Sequence, residues 1–136
     1  MYKRLVCRED KLAPEEPSDA DLTAMALQAL APYRADADTA AAVARALTCL
    51  SGMQQPNGGF ATAGVATCES TAQALLALAA LEIPPDDPRF VKNGRTALDA
   101  LALYRLTDGS YRHERTGAAD LTATEQALRA LLAVNA

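Results

Sequence analysis

The sequence predicts an all-α domain of about two and a half helical hairpins in two layers, and three observations carry that expectation. The first is composition. Of 136 residues, 31 are Ala and 19 are Leu, so two strong helix formers dominate, while aromatic residues make up 4%. That balance argues against a β-sandwich, a barrel or a Rossmann-type sheet. The second is internal similarity. Thr23-Ala-Met-Ala-Leu-Gln-Ala-Leu30 returns as Thr71-Ala-Gln-Ala-Leu-Leu-Ala-Leu78 and as Thr124-Glu-Gln-Ala-Leu-Arg-Ala-Leu131, a string T-x-[MQ]-A-L-x-A-L. The spacings, 48 and 53 residues, suit a helical hairpin with a generous loop. The third lies between these copies: Leu47, Leu50, Met53 and Gly58-Gly-Phe60 match Leu98, Leu101, Tyr104 and Gly109-Ser-Tyr111 at a constant offset of 51. Gln54 to Phe60 and Arg105 to Tyr111 are therefore expected to be equivalent turns, each ending a helix and seating an aromatic ring against the core.

Boundary chemistry predicts five helices within a domain spanning 18–136, after an N-terminal extension, 1–17, that is irregular or part of a preceding helix. Ser18 with Asp21 reads as a capping box for the first helix, which Pro32 closes. Asp36 or Asp38 caps the second, whose apolar face carries Val43, Leu47 and Leu50 and which Gly52 stops. The third runs from Thr67 or Cys68 to Leu81, and being apolar nearly all round from Ala74 it must be covered on several sides. Asp87-Pro88 starts a short turn that Asn93-Gly94 ends, and Thr96 to about Arg105 forms the fourth helix. Thr122 with Glu125 reads as a capping box for the fifth, with Leu121, Leu128, Leu131 and Leu132 facing inward. Ala at contact positions lets helix axes approach closely, which suits two layers of alternating helices.

Charge and cysteine usage narrow the partners. The net charge is −4 and the only basic cluster is Lys3, Arg4 and Arg8, so a nucleic-acid partner is not expected. Met1 to Arg8 holds no apolar stretch of signal-peptide length, and no window approaches the ~20 apolar residues of a membrane span. Cys7, Cys49 and Cys68 lie far apart and form no C-x-x-C pair, so no disulfide framework is expected and Cys49 reads as a small buried thiol.

The strings above resemble the prenyltransferase and squalene-cyclase repeat of the α/α-toroid superfamily, from about Asp19 to the C-terminus. Gln54-Gln-Pro-Asn-Gly-Gly-Phe60 is similar to the Q-x-x-x-G-x-W motif of the cyclases, with Phe60 at the Trp position, and Asp108-Gly-Ser-Tyr111 resembles an eroded second copy. Asp21 to Tyr33 and Asp87 to Gly94 look closest to toroid-like repeat domains of bacterial cell-surface proteins. The resemblance implies a partial α/α toroid and a surface or extracellular setting. It fixes no activity, since a fold does not fix a function.

Each activity of that superfamily has a chemical requirement that these residues can be tested against. Cyclases need an aspartate-rich D-x-D-D acid and aromatic faces for cations, whereas this chain has no D-x-D-D, no Trp and six aromatic residues. Prenyltransferases hold zinc with converging Asp, Cys and His, but His113 is the one histidine and no Asp-x-Cys accompanies it, so it reads as an exposed polar residue. Thioester domains need G-C-G-E-Q, and Gly64 to Gln73 lacks it with a Cys68-to-Gln73 spacing too long by two. Asp86-Asp87 reads as a turn and N-cap, and no G-x-x-x-x-G-K-[ST] follows Asn57-Gly-Gly59. No catalytic residue, metal or cofactor is therefore assigned. Asp21, Glu69, Gln73, Asp120, Glu125 and Gln126, at the starts of the three similar helices, remain as ligand-binding candidates, although first-turn carboxylates also serve as caps. The expected function is a non-catalytic binding or architectural module of a bacterial surface or secreted protein. Alternatives are a fragment of a prenyltransferase- or cyclase-like enzyme and a small-ligand, corrinoid-type toroid. Five helices leave the array open at two ends, so a homo-oligomer or further repeats are expected to complete it.

Overall fold

Every α-helix described begins after a residue in extended backbone whose side-chain oxygen accepts a hydrogen bond from the first turn. In the computed structural model, which describes residues 19–136, these residues are Asp19, Asp36, Thr67, Thr96 and Asp120. They open α1 (Ala20–Leu30), α2 (Ala37–Met53), α3 (Cys68–Ala80), α4 (Ala97–Ala102) and α5 (Leu121–Val134). A cap of this kind satisfies an N–H that the helix leaves free and contributes about 1 kcal/mol. The extension 1–17, with Lys3, Arg4, Cys7 and Arg8, and Ser18 lie outside the described residues.

Two expected capping boxes are replaced by aspartate caps. Asp19 accepts from the N–H groups of Asp21 and Leu22, in place of the expected Ser18 cap. Thr122 lies inside α5, and Asp120 accepts from Ala123 instead. In both cases a carboxylate stands where the helix presents positive partial charge, which makes it a stronger acceptor than a hydroxyl. A reciprocal capping box does form at Thr96 with Asp99.

Three other boundaries differ from expectation. Helix α2 continues through Gly52 to Met53, because Gly52 faces open space and nothing there forces a turn. Helix α4 ends at Ala102 rather than near Arg105. The N–H groups of Leu103, Tyr104 and Arg105 bond to carbonyls three residues back, so the last turn tightens out of α geometry. Pro32 does not end the first helix abruptly, since Ala31–Tyr33 continues it as a 3₁₀ turn. A second 3₁₀ turn, Pro88–Phe90, is capped by Asp87 as expected.

The described residues are mostly helical, at 57%, with one feature absent from the expectation: a two-stranded antiparallel sheet of β1 (Ala61–Thr62) and β2 (Val65–Ala66). Its connecting residues Ala63 and Gly64 both have positive φ, 51° and 78°. That pair of angles matches the twist of a tight hairpin.

Helix α3 is central. It packs against α1, α4 and α5, and α2 packs against α1, which supplies the several-sided cover that its apolar surface requires. Leu27, Leu50, Phe60, Leu75, Leu78 and Phe90 are fully buried in one core. In α5 the buried face is Ala123, Ala127 and Ala130, whereas Leu121, Leu128 and Leu132 are exposed and Leu131 is half-buried. The expected inward leucines are thus a correction: small Ala residues take the contact with α3, and the large side chains point away. The cysteines also correct the sequence reading. Cys49 is disulfide-bonded and half-buried, and Cys68 is the buried free thiol.

Candidate functional site

The two Gly-containing turns anchor the starts of α3 and α5, where five of the six candidate residues lie. In the first, Gly58 N–H donates to the Gln55 carbonyl and Gln55 N–H to that of Gly59, and in the second Gly109 and Leu106 donate to Leu106 and Ser110 in the same manner. Gly58 and Gly109 have φ of 89° and 92°. At Gly58 a Cβ would stand 2.2 Å from the Thr96 carbonyl oxygen, so the turn is pressed against the cap of α4. Each turn then delivers its aromatic residue. Phe60 N–H donates to Thr71 Oγ1 at 3.1 Å, and Tyr111 N–H donates to Thr124 Oγ1 at 2.9 Å. Thr71 and Thr124 are the first residues of two of the three similar strings, and the hydrogen bond gives that Thr a physical task.

Beyond the threonines, the exposed side of α3 presents Glu69, Gln73, Leu76 and Ala80 at one-face spacing, all half-buried. Gln73 joins three helices. Its Nε2 donates to Gln126 Oε1 on α5 at 3.0 Å, and its Oε1 accepts from Gln28 Nε2 on α1 at 2.9 Å. Two of the six candidates, Gln73 and Gln126, are therefore brought into direct contact. Gln28 was missed because it occupies a different position of its string from the other two, and only its one-turn displacement from Met25 along the helix could have drawn notice.

Glu69 faces a second partner that the sequence does not announce. His113 Nδ1 lies 3.0 and 2.9 Å from the two carboxylate oxygens of Glu69, and the His113 carbonyl accepts from Cys68 N–H. The hydrogen bond that His113 donates to the Glu69 carboxylate holds the imidazole above its usual pKa against the opposing effect of burial, and the charges of Glu69, Glu114 and Asp120 add to it. His113 remains about half exposed, so the expectation of an exposed polar residue holds and gains a partner.

Two of the other candidates serve their own helix, α5. Asp120 caps α5, and Glu125 pairs with Arg129 one turn on at 3.6 Å. Asp21 is half-buried, with Oδ1 buried and without a hydrogen-bond partner among the described residues. Between Glu69 and the start of α5 the Cys68 thiol is pushed up to about 12, by burial first and then by the charges of Glu69 and Asp120. It stays protonated and is a poor nucleophile near neutrality.

An open depression of about 360 Å³ lies among Gly64, Val65, Ala66, Glu114, Arg115 and Thr116. Among the described residues no group of three His, Cys, Asp or Glu side chains is placed to hold a metal ion. No described helix is long and apolar enough to cross a membrane. The geometry thus consists of a band of mutually bonded amides crossing α1, α3 and α5, flanked by the Glu69–His113 pair. No family model, curated protein or solved structure matches the chain.

Proposed function

We propose that the chain is a non-catalytic binding or architectural module of a bacterial surface or secreted protein, built as an open α/α-toroid-like array of helical hairpins in two layers. The observation that carries this reading is the amide band: Gln28, Gln73 and Gln126 tie α1, α3 and α5 side by side. In such an array these three helices form the inner layer, with α2 and α4 behind them. Of the polar groups near the inner-helix starts, Glu69, Gln73, Asp120, Glu125 and Gln126 are engaged in caps, amide contacts and ion pairs, and a thiol held protonated at Cys68 does not act as a thiolate. The disulfide at Cys49 fits an oxidising compartment outside the cytosol.

The test is calorimetric titration with farnesyl diphosphate, paired with product analysis after prolonged incubation. A flat titration and unchanged substrate are the expected results. Saturable binding or turnover would overturn the proposal in favour of prenyl chemistry.

A further inference from the structure

In register, α1, α3 and α5 form a series that, among the described residues, has two bare flanks. The aligned strings place Leu27, Leu75 and Leu128 at one position, with Ala20, Cys68 and Leu121 before it and Ala31, Ala79 and Leu132 after it. On α1 and α3 this flank is covered: Leu27, Leu75 and Cys68 are all 0% exposed, and Cys68 Sγ lies 3.8 Å from the Ala123 carbonyl of α5. On α5 the same positions are open and larger, with Leu121 at 87% and Leu132 at 74%. The opposite flank shows the converse. Ser70 and Ala77 on α3, like Ala123 and Ala130 on α5, are buried, whereas their counterparts Leu22 and Ala29 on α1 are exposed, with Met25 beside them at 53%.

We infer that these two flanks dock on each other between two copies of the chain, α5 of one against α1 of the next, head to tail. The inference rests on the helical-array part of the function proposed above. The occupant follows from continuity: Cys68 on α3 meets Ala123 on α5, their counterparts Ala20 on α1 and Ser70 on α3 are likewise buried where α1 packs on α3, and the described residues leave one half of a third such contact open at each end. Glu125 stands within the α5 flank, and Arg129 pairs with it one turn on. Apolar side chains exposed together on one helix face gain by leaving water. Because the two surfaces differ, the contact is heterologous, and it ends where the rotation closes or otherwise continues.

Sedimentation velocity of the full chain over a concentration series tests this. The expected result is a mass that rises with concentration, and a loss of affinity of at least about tenfold in Leu132→Glu and in Met25→Glu taken singly. An equimolar mixture of the two variants restores a 1:1 dimer, because one keeps the α1 flank and the other keeps the α5 flank. A wild-type chain that stays monomeric throughout, or a mixture that stays monomeric, overturns the inference. Circular dichroism confirms folding, and Leu121→Lys with Leu22→Lys replaces the pair if either variant unfolds. Farnesyl diphosphate turnover by an associating chain would sink only the non-catalytic proposal, whereas a monomeric chain sinks only the docking.

Discussion

Thr71 shows how much one hydroxyl can carry. It is fully buried and accepts from Phe60 N–H, so Thr71→Val keeps the shape and leaves that N–H unpaired. A loss of about 1–3 kcal/mol in urea denaturation is expected. Thr124→Val, at a half-buried site, costs less. At His113 the effect is of pH. Its folded pKa is raised by Glu69, so the stabilisation is complete below the unfolded value of about 6.5 and is lost as pH rises through the higher folded value. Wild-type stability therefore declines on that rise relative to Glu69→Gln, and melting curves across the range check it. An equal slope in both proteins would show that the pair contributes nothing. The aligned Thr residues were visible in the sequence, but their task was not, because the amide that each one bonds lies across a loop.

At the scale of elements, the turns account for the sharpest sensitivities. Gly58→Ala must adopt φ near 89° and bring a Cβ against the Thr96 carbonyl, so it should destabilise by more than about 2 kcal/mol. The β1–β2 connection errs in the other direction. Ala63 holds positive φ without the tolerance of Asn, and Ala63→Asn is expected to raise stability by about 0.5 kcal/mol, read from the denaturation midpoint. These turns also show what was legible. The matched residues around Gly58 and Gly109 predicted corresponding turns, and both form with corresponding hydrogen bonds, because local backbone geometry dictates them. Helix caps were legible only approximately. Ser18 and Thr122 fitted a capping pattern, but the residues at the cap positions are Asp19, directly before α1, and Asp120, directly before α5, with Thr122 already inside the helix. The faces of α5 were not legible at all, since Ala and Leu are both apolar and only the closeness of α3 selects Ala for the contact.

For the whole molecule, the sequence supported a mostly helical fold because Ala-rich and Leu-rich segments leave few alternatives. It did not reveal which distant groups meet. Glu69 and His113 lie 44 residues apart, Gln28 and Gln73 lie 45 apart, and no local pattern encodes either meeting. The disulfide at Cys49 escaped for the same reason, as spacing alone gives no pairing. Thiol titration of the denatured, unreduced chain should therefore find fewer free thiols than the three cysteines; a full three would remove the compartment argument. The buried thiol at Cys68 has a different use. It is sealed at the joint of α3 and α5, so a thiol reagent reaches it only when that joint parts. Its labelling rate is then a clock for the opening of one helix from the array, and a partner docked on α5 would slow that clock without touching the sulfur.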